Sequence, residues 1–222
     1  MAAMRHSEAV EDYAKAIYAL ARRGQGAAST NALAERLGVT PASVSAMLKK
    51  LAERGLAEHV PYKGVRLTGE GERVALEVLR HHRLLELYLA DQLGVPWDRV
   101  HAEAEALEHV ISEDLEQRIA DKLGNPTHDP HGDPIPNAAL HIDEGDTRAL
   151  ASLRPGDRGR FVRISDSDPA MLRYLGQRGI ELGDAFEVVH RQPFGGPLTV
   201  RFGDSEQALG GGLAAAMRVE VS

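Results

Sequence analysis

The sequence predicts a mainly α protein that opens with a winged helix-turn-helix and carries a small β domain at its far end. Three observations predict this. Apolar residues recur at helical spacing between caps and glycines as far as about Leu123. A short hairpin pattern follows the third of those helices. From Thr147 onward the chain turns to short β-type runs separated by Gly-containing turns.

In chain order, Ser7 to Arg23 places Val10, Tyr13, Ala14, Ile17, Leu20 and Ala21 on one helical face, with Ser7 as N-cap and Gly24-Gln25-Gly26 as the stop. Thr30 to Leu37 reads as a second, short helix ended by Gly38. Thr40-Pro41 supplies a cap and a first-turn proline for a third helix running to Arg54, closed by Gly55. Leu56–Val60 and Val65–Leu67 read as strands about the turn Pro61-Tyr62-Lys63-Gly64. Thr68 caps a long helix to about Leu93, and Asp98 caps another running to about Leu123. Gly124 to Asp146 carries four prolines and reads as a linker or an ordered crossing segment. Beyond it, strands are expected at 159–164, 186–189, 198–202 and 217–221, with a helix from Pro169 to Arg178, in a barrel of roughly 75 residues.

The 222 residues are 43% hydrophobic and 27% charged, with a formal net charge of −7 and no cysteine. That composition excludes a disulfide scaffold and thiolate metal sites. No apolar run approaches membrane-spanning length and no export signal opens the chain, so a soluble cytoplasmic protein with no membrane partner is expected. The charge is uneven: residues 1–75 hold 11 Lys/Arg against 8 Asp/Glu, whereas residues 76–125 hold 5 against 11. A basic first third in an acidic whole permits a local nucleic-acid surface but not a general polyanion coat.

The stretch Asn31 to Ser45 carries that surface. Small Ala34 lets two helices approach, Gly38 turns the chain, and Leu33, Leu37, Val44 and Leu48 bury between them. The start of the second helix offers Thr40, Pro41, Ala42, Ser43, Ser45 and Ala46 to base edges and thymine methyls. Lys49, Lys50, Lys63 and Arg66 are placed for phosphates. A helical hairpin used for protein contacts is the plainer alternative; the wing that follows favours double-stranded DNA.

On the long helices, His82 and Glu86 are four residues apart, and His101, Glu105, Glu108 and His109 follow at spacings of three and four. Asp12 on the first helix is a further candidate. Acidic residues on a helix most often face water, but this many nitrogen and oxygen donors can hold one or two divalent ions. With no thiolate, the set suits manganese or ferrous iron, with zinc as competitor.

These motifs, with Glu11-Asp12-Tyr13, His82-Arg83-Leu84-Leu85-Glu86, Val100 to His109 and Pro130-His131-Gly132-Asp133-Pro134-Ile135-Pro136, resemble the diphtheria-toxin-repressor family of metal-dependent transcriptional regulators. The likeness is to its manganese-responsive branch, in the long form, and covers nearly the whole chain. It implies a DNA-binding domain at 1–75, a helical metal-binding and dimerisation domain at 76–145 that includes the crossing segment 124–145, and an SH3-like, ferrous-transport-accessory-like domain at 146–222. It also implies a homodimer on a near-palindromic operator, repression of metal-transport genes, and no enzymatic activity. By resemblance the primary site maps onto Asp12, Glu105, Glu108 and His109. The ancillary site maps onto His82, Glu86 and His101, with Asp168 from the barrel. His82 is open between the two sites, and Asp129 stands where some long relatives offer a fifth ligand. Hard donors at 12 and 105 favour Mn2+, with Fe2+ the alternative and Zn2+ or Cd2+ as substitutes in vitro. Lys15 stands where short relatives use a second acidic residue, against a tight metal pair. Two other readings compete: a carboxylate-bridged metalloenzyme, which lacks the paired Glu-x-x-His motif, and a DNA-binding protein whose acidic helices sense nothing.

Overall fold

A computed structural model describes residues 6–23 and 26–222; Gly24 and Gln25, read above as part of the first helix's stop, lie outside them. The chain divides into two compact units. The first takes in the chain up to His82, with Leu107–Ser112 and Pro136–His141. The second takes in Arg83–Ala106, Glu113–Ile135 and Ile142–Ser222.

The first unit is a winged helix. Helix α1 (Glu8–Arg23) buries Val10, Tyr13, Ala14 and Ile17, the 3–4 spacing of one helical face. Helix α2 (Thr30–Leu37) starts on Ser29, whose side chain accepts from the Ala32 amide, and stops at Gly38 in the left-handed region, φ 65°. Helix α3 (Pro41–Glu53) starts on Thr40, which accepts from the Ser43 amide, and buries Val44 and Leu51. Strands β1 (Ala57–Val60) and β2 (Gly64–Leu67) pair antiparallel, with Ala57 opposite Leu67 and Val60 opposite Gly64. Ala28 and Val65 exchange backbone hydrogen bonds of 2.8 and 2.9 Å, which ties the wing's root to the segment before α2. A side chain on Gly64 would meet the Ala28 carbonyl at 2.1 Å, so only glycine permits that approach. The Thr68 hydroxyl then accepts from the Gly71 amide at the head of α4 (Gly69–Leu93).

The single helix expected from Asp98 to Leu123 is two helices, α5 (Val100–Leu107) and α6 (Glu113–Lys122), joined through a turn at Glu108–Ser112. Asp98 is not its cap: the amides of Arg99 and Val100 both return to the Pro96 carbonyl, and the Asp98 carboxylate faces Arg173 at 3.3 Å. At the break the Val110 amide reaches the Leu107 carbonyl three residues back, tightening the last turn, and the Glu108 carbonyl hydrogen-bonds the His81 ring at 3.1 Å. Ser112 before Glu113, Asp114 and Glu116 then has the composition of a fresh helix start. Glu108 and His109 are therefore turn residues, and the helical spacing read across Glu105, Glu108 and His109 does not hold past Leu107.

The second unit's sheet is antiparallel, in the order β3-β8-β4-β5-β6-β7. Its strands are β3 (Arg148–Ala149), β4 (Arg158–Ile164), β5 (Ala185–Arg191), β6 (Leu198–Phe202), β7 (Ser205–Leu209) and β8 (Met217–Val221). Helices α7 (Pro169–Gly176) and α8 (Gly211–Ala216) interrupt them. Register shifts at Phe161/Arg163 and Val188/His190 bend β4 and β5, and Phe161, Ile164, Leu172, Leu175, Val188, Val200 and Met217 fill the core. Strands β3 and β7 and helix α8 are elements the sequence reading did not include.

The proline-rich segment is ordered, and Asp129 and residues 131–136 are buried. Gly132 takes φ 81°, and a side chain there would meet the Val162 carbonyl at 2.0 Å. The Ile164 amide donates to the His131 carbonyl at 2.9 Å, so the segment docks along β4 with no room between the two backbones.

Candidate metal centres and DNA-binding face

In the first unit, acidic residues of α1 meet the turn at Glu108–His109. His109 sets Nε2 3.0 Å from Asp12 Oδ1 and Nδ1 2.6 Å from Glu11 Oε2. Both ring nitrogens facing carboxylates require an imidazolium in the metal-free chain, and the Asp12 and Glu11 hydrogen bonds push its pKa up to about 10. Glu108 is fully buried. One of its oxygens faces Lys15 Nζ at 2.5 Å and lies 3.4 Å from His109 Nε2; the other faces His82 Nδ1 at 2.5 Å. His82, open between two sites on sequence grounds, thus touches the Glu108 carboxylate. Glu8, Asp12 and His109 bring ligand atoms within 4.8 Å of one another, which adds Glu8 to the candidates.

In the second unit, Glu86 is fully buried and faces histidines from two other segments, His101 and His131. His101 Nδ1 lies 3.3 Å from Glu86 Oε1 and 2.9 Å from Asp166 Oδ2, and those two carboxylates, Asp166 first, push the ring up to about 10. Glu105 is exposed, 3.9 Å from His101 Nε2. Glu86, Asp129 and His131, all buried, converge within 4.8 Å. Asp129 accepts the amides of His131 and Asp133 at 2.8 and 2.9 Å, and burial, with Asp133 and Glu86 nearby, raises its pKa well above its ordinary value. Arg83 lies 3.7 Å from Asp129 and 3.5 Å from Asp133.

The sequence reading passed over two of these residues and misplaced a third. His131 and Asp166 were not assigned. Asp168, expected to reach the helices from the barrel, is exposed and accepts from the Ala170 amide at 2.9 Å as the N-cap of α7; Asp166 stands at His101 instead.

His131 tests whether a cation fits here. Its Nε2 is 2.7 Å from the Trp97 carbonyl, an acceptor, so in the neutral ring the proton sits on Nε2. The Nδ1 lone pair then faces Glu86 at 3.8 Å, buried and with no hydrogen-bond partner. A lone pair pointed at a buried carboxylate is repulsive unless a proton or a metal cation stands between them. A histidine whose other nitrogen donates to a backbone carbonyl is also the ordinary arrangement of a metal ligand. The oxygen and imidazole donors fit a hard to borderline divalent ion.

On the α3 face, Thr40, Pro41, Ala42, Ser43, Ser45, Ala46, Lys49 and Lys50 are exposed, as are Lys63 and Arg66 on the wing. The Thr40 hydroxyl is engaged as a cap, Ser45 donates to the Pro41 carbonyl, and Arg66 pairs with Glu58 across the hairpin at 2.5 Å.

A winged helix whose first helix shares a carboxylate–histidine cluster, followed by a small β domain, defines the metal-dependent DNA-binding regulators as a class. Residues 6–65 match the iron dependent repressor N-terminal DNA binding domain, residues 68–137 its metal binding and dimerisation domain, and residues 148–221 the FeoA domain. The chain belongs to the diphtheria-toxin-repressor family, whose members are repressors and not enzymes. It is 30% identical to the diphtheria toxin repressor of Corynebacterium glutamicum over 223 residues, 96% of each chain. It is 40% identical to the iron-dependent repressor IdeR of Mycobacterium leprae over 147 residues, which span 66% of this chain and 63% of that protein. A solved manganese-dependent transcriptional repressor in complex with manganese superposes with a TM-score of 0.91 at 43% identity, covering 96% of this chain and 100% of its own. Two solved ScaR structures, one with bound Cd2+ and one with bound Zn2+, superpose at 27% and 28% identity with TM-scores of 0.83 and 0.82, each covering 95% of this chain and 98% of its own. Among the described residues no helix is long and apolar enough to cross a membrane.

Proposed function

We propose that this chain is a manganese-responsive, cytoplasmic, homodimeric repressor of metal-transport genes that binds a near-palindromic operator. Its working segments are DNA binding at 1–75, metal binding and dimerisation at 76–145, and the SH3-like domain at 146–222. The observation that carries the reading is the junction of Asp12 on α1 with Glu108 and His109, residues nearly a hundred positions apart in sequence. An ion held there would draw ligands from Asp12, Glu108 and His109, with Glu8, Glu11 and His82 as further donors. A second ion would draw on Glu86, His101, Asp129, His131 and Asp166. When bound, the ion supplies a positive charge that makes the carboxylates' mutual approach favourable.

The rest is done by the chain's own residues. Asp12 and the buried Val10, Tyr13, Ala14 and Ile17 lie on one rigid helix, so fixing Asp12 fixes α1 and the DNA-binding core packed on it. The ion acts through its higher affinity for the arrangement that fits DNA. Thr40, Pro41, Ala42, Ser43, Ser45 and Ala46 face the major groove, and Lys49, Lys50, Lys63 and Arg66 face phosphates.

Manganese is preferred because every donor is oxygen or imidazole; iron is the second reading, favoured by the 40% identity to the mycobacterial iron-dependent repressor. Zinc and cadmium, bound in the ScaR structures, are expected to substitute in vitro.

The test is DNA binding to a metal-transporter promoter fragment at fixed salt, with manganese, ferrous iron and zinc titrated separately against wild type and Glu108→Ala. Manganese-enhanced affinity in the wild type alone supports the reading. Equal affinity with and without every metal would leave a DNA-binding protein that senses nothing.

A further inference from the structure

We infer that Tyr62, at the tip of the wing, is a DNA-contacting residue whose ring packs on the sugar–phosphate wall of the minor groove beside the operator's major-groove site. The inference rests on the reading of this chain as a DNA-binding regulator.

Three observations converge on it. The Lys63 amide donates to the Val60 carbonyl at 3.0 Å, closing a four-residue turn with Pro61 second and Tyr62 third. Tyr62 has φ 63°, the left-handed conformation that the third position of such a turn reserves for glycine or asparagine. Its residue exposure is 105%, so the ring touches essentially nothing among the described residues. A strained backbone and a fully solvated aromatic ring both weaken the fold, and glycine would remove both. A tyrosine at this position serves something outside the chain.

The wing's construction says where that partner lies. Its root is held by the Ala28–Val65 hydrogen bonds and by the close passage of Gly64 over the Ala28 carbonyl, so the tip projects from a fixed base. Lys63 is exposed beside Tyr62, and the wing follows the helix-turn-helix in a basic first third of an otherwise acidic chain. An aromatic ring next to an ammonium on a rigid projection matches a polyanion with flat apolar sugars between its charges. The phenol hydroxyl can donate to one phosphate oxygen and Lys63 to the next.

The experiment uses the full-length, manganese-loaded chain and a double-stranded fragment that the wild type selects from a random pool. Tyr62→Gly is expected to bind about tenfold more weakly, near the low end for losing one aromatic contact to nucleic acid, while melting no lower than wild type. Its salt dependence should match the wild type because no charge is lost, whereas Lys63→Ala should lower the slope by about one. Tyr62→Phe separates the ring from the hydroxyl, and retained affinity would assign the contact to the ring. Wild-type affinity in Tyr62→Gly, or a lower melting temperature, overturns the inference. Failure of the wild-type chain to select any fragment overturns the regulator reading instead.

Discussion

Lys15 holds a buried carboxylate within the cluster proposed to take a divalent ion, and replacing it with methionine separates its two effects. Lys15 Nζ lies 2.5 Å from Glu108 Oε1, with the lysine side chain 16% exposed and the glutamate fully buried. In the metal-free chain the substitution leaves Glu108 with a loss between that of an exposed ion pair, under about 1 kcal/mol, and that of a broken buried one, about 3–5 kcal/mol. His82 still faces the other oxygen, which points to a loss of about 2 kcal/mol. With an ion bound, the same ammonium repels the ion, so its removal costs nothing there. The metal-free state rises in free energy and the bound state does not, and affinity for manganese should increase about 30-fold. Denaturant titration without metal, and chelator competition with it, read the two numbers separately. An equal stability loss with and without manganese, at unchanged affinity, would refute the argument. Lys15→Glu should go further and raise the number of manganese ions bound per chain.

Asp166→Ala should weaken metal binding in the second unit about 10–100-fold, a typical cost of losing a group that orients or ligates a metal. Asp168→Ala should instead cost about 1 kcal/mol of stability through the lost helix cap and leave metal affinity alone; equal effects on affinity would reverse the two assignments. The pKa of His109, raised from about 6.5 to about 10, makes a pH prediction for the metal-free chain. A raised folded-state pKa contributes stability that is fully present below about 6.5 and is lost as pH climbs through about 10. A metal ligand must be deprotonated, so manganese binding near pH 7.5 should release about one proton from His109. His101, raised in the same way, should release another if it ligates. Calorimetry in two buffers of different ionisation enthalpy counts the protons; none released would mean that the rings stay charged.

The winged helix was legible because its signals are local. Gly38, the Thr40-Pro41 pair and Thr68 each act within a few residues, and the structure places an N-cap or C-cap at all three. The break after Leu107 was hidden by an unbroken helical pattern, and only Ser112 before three acids in the next turn betrayed it. The Asp168 error was avoidable on the same rule that identified Thr40: an acidic residue immediately before a helix-opening proline is a cap, which leaves Asp166 for other work. Strand β7 could have been found from the Gly203-Asp204 pair, which turns Phe202 back onto Ser205. His131 carried no comparable signal. Its significance comes from Gly132 letting a proline-rich segment lie against β4, and composition alone does not say whether such a segment docks or swings free.

Helix α1 is 16 residues long, about 24 Å at the usual rise. Its acidic cluster sits within the first two turns, so a metal held there would pull on one end of a stiff rod. A tilt of about 5° set there displaces the opposite end by about 2 Å, enough to break a hydrogen bond from its roughly 3 Å length. An ion that adjusted a few oxygen positions by tenths of an ångström would thereby be read out at the scale on which phosphate contacts are made or missed. The gain comes from length, and a shorter first helix would sense the same metal less sharply.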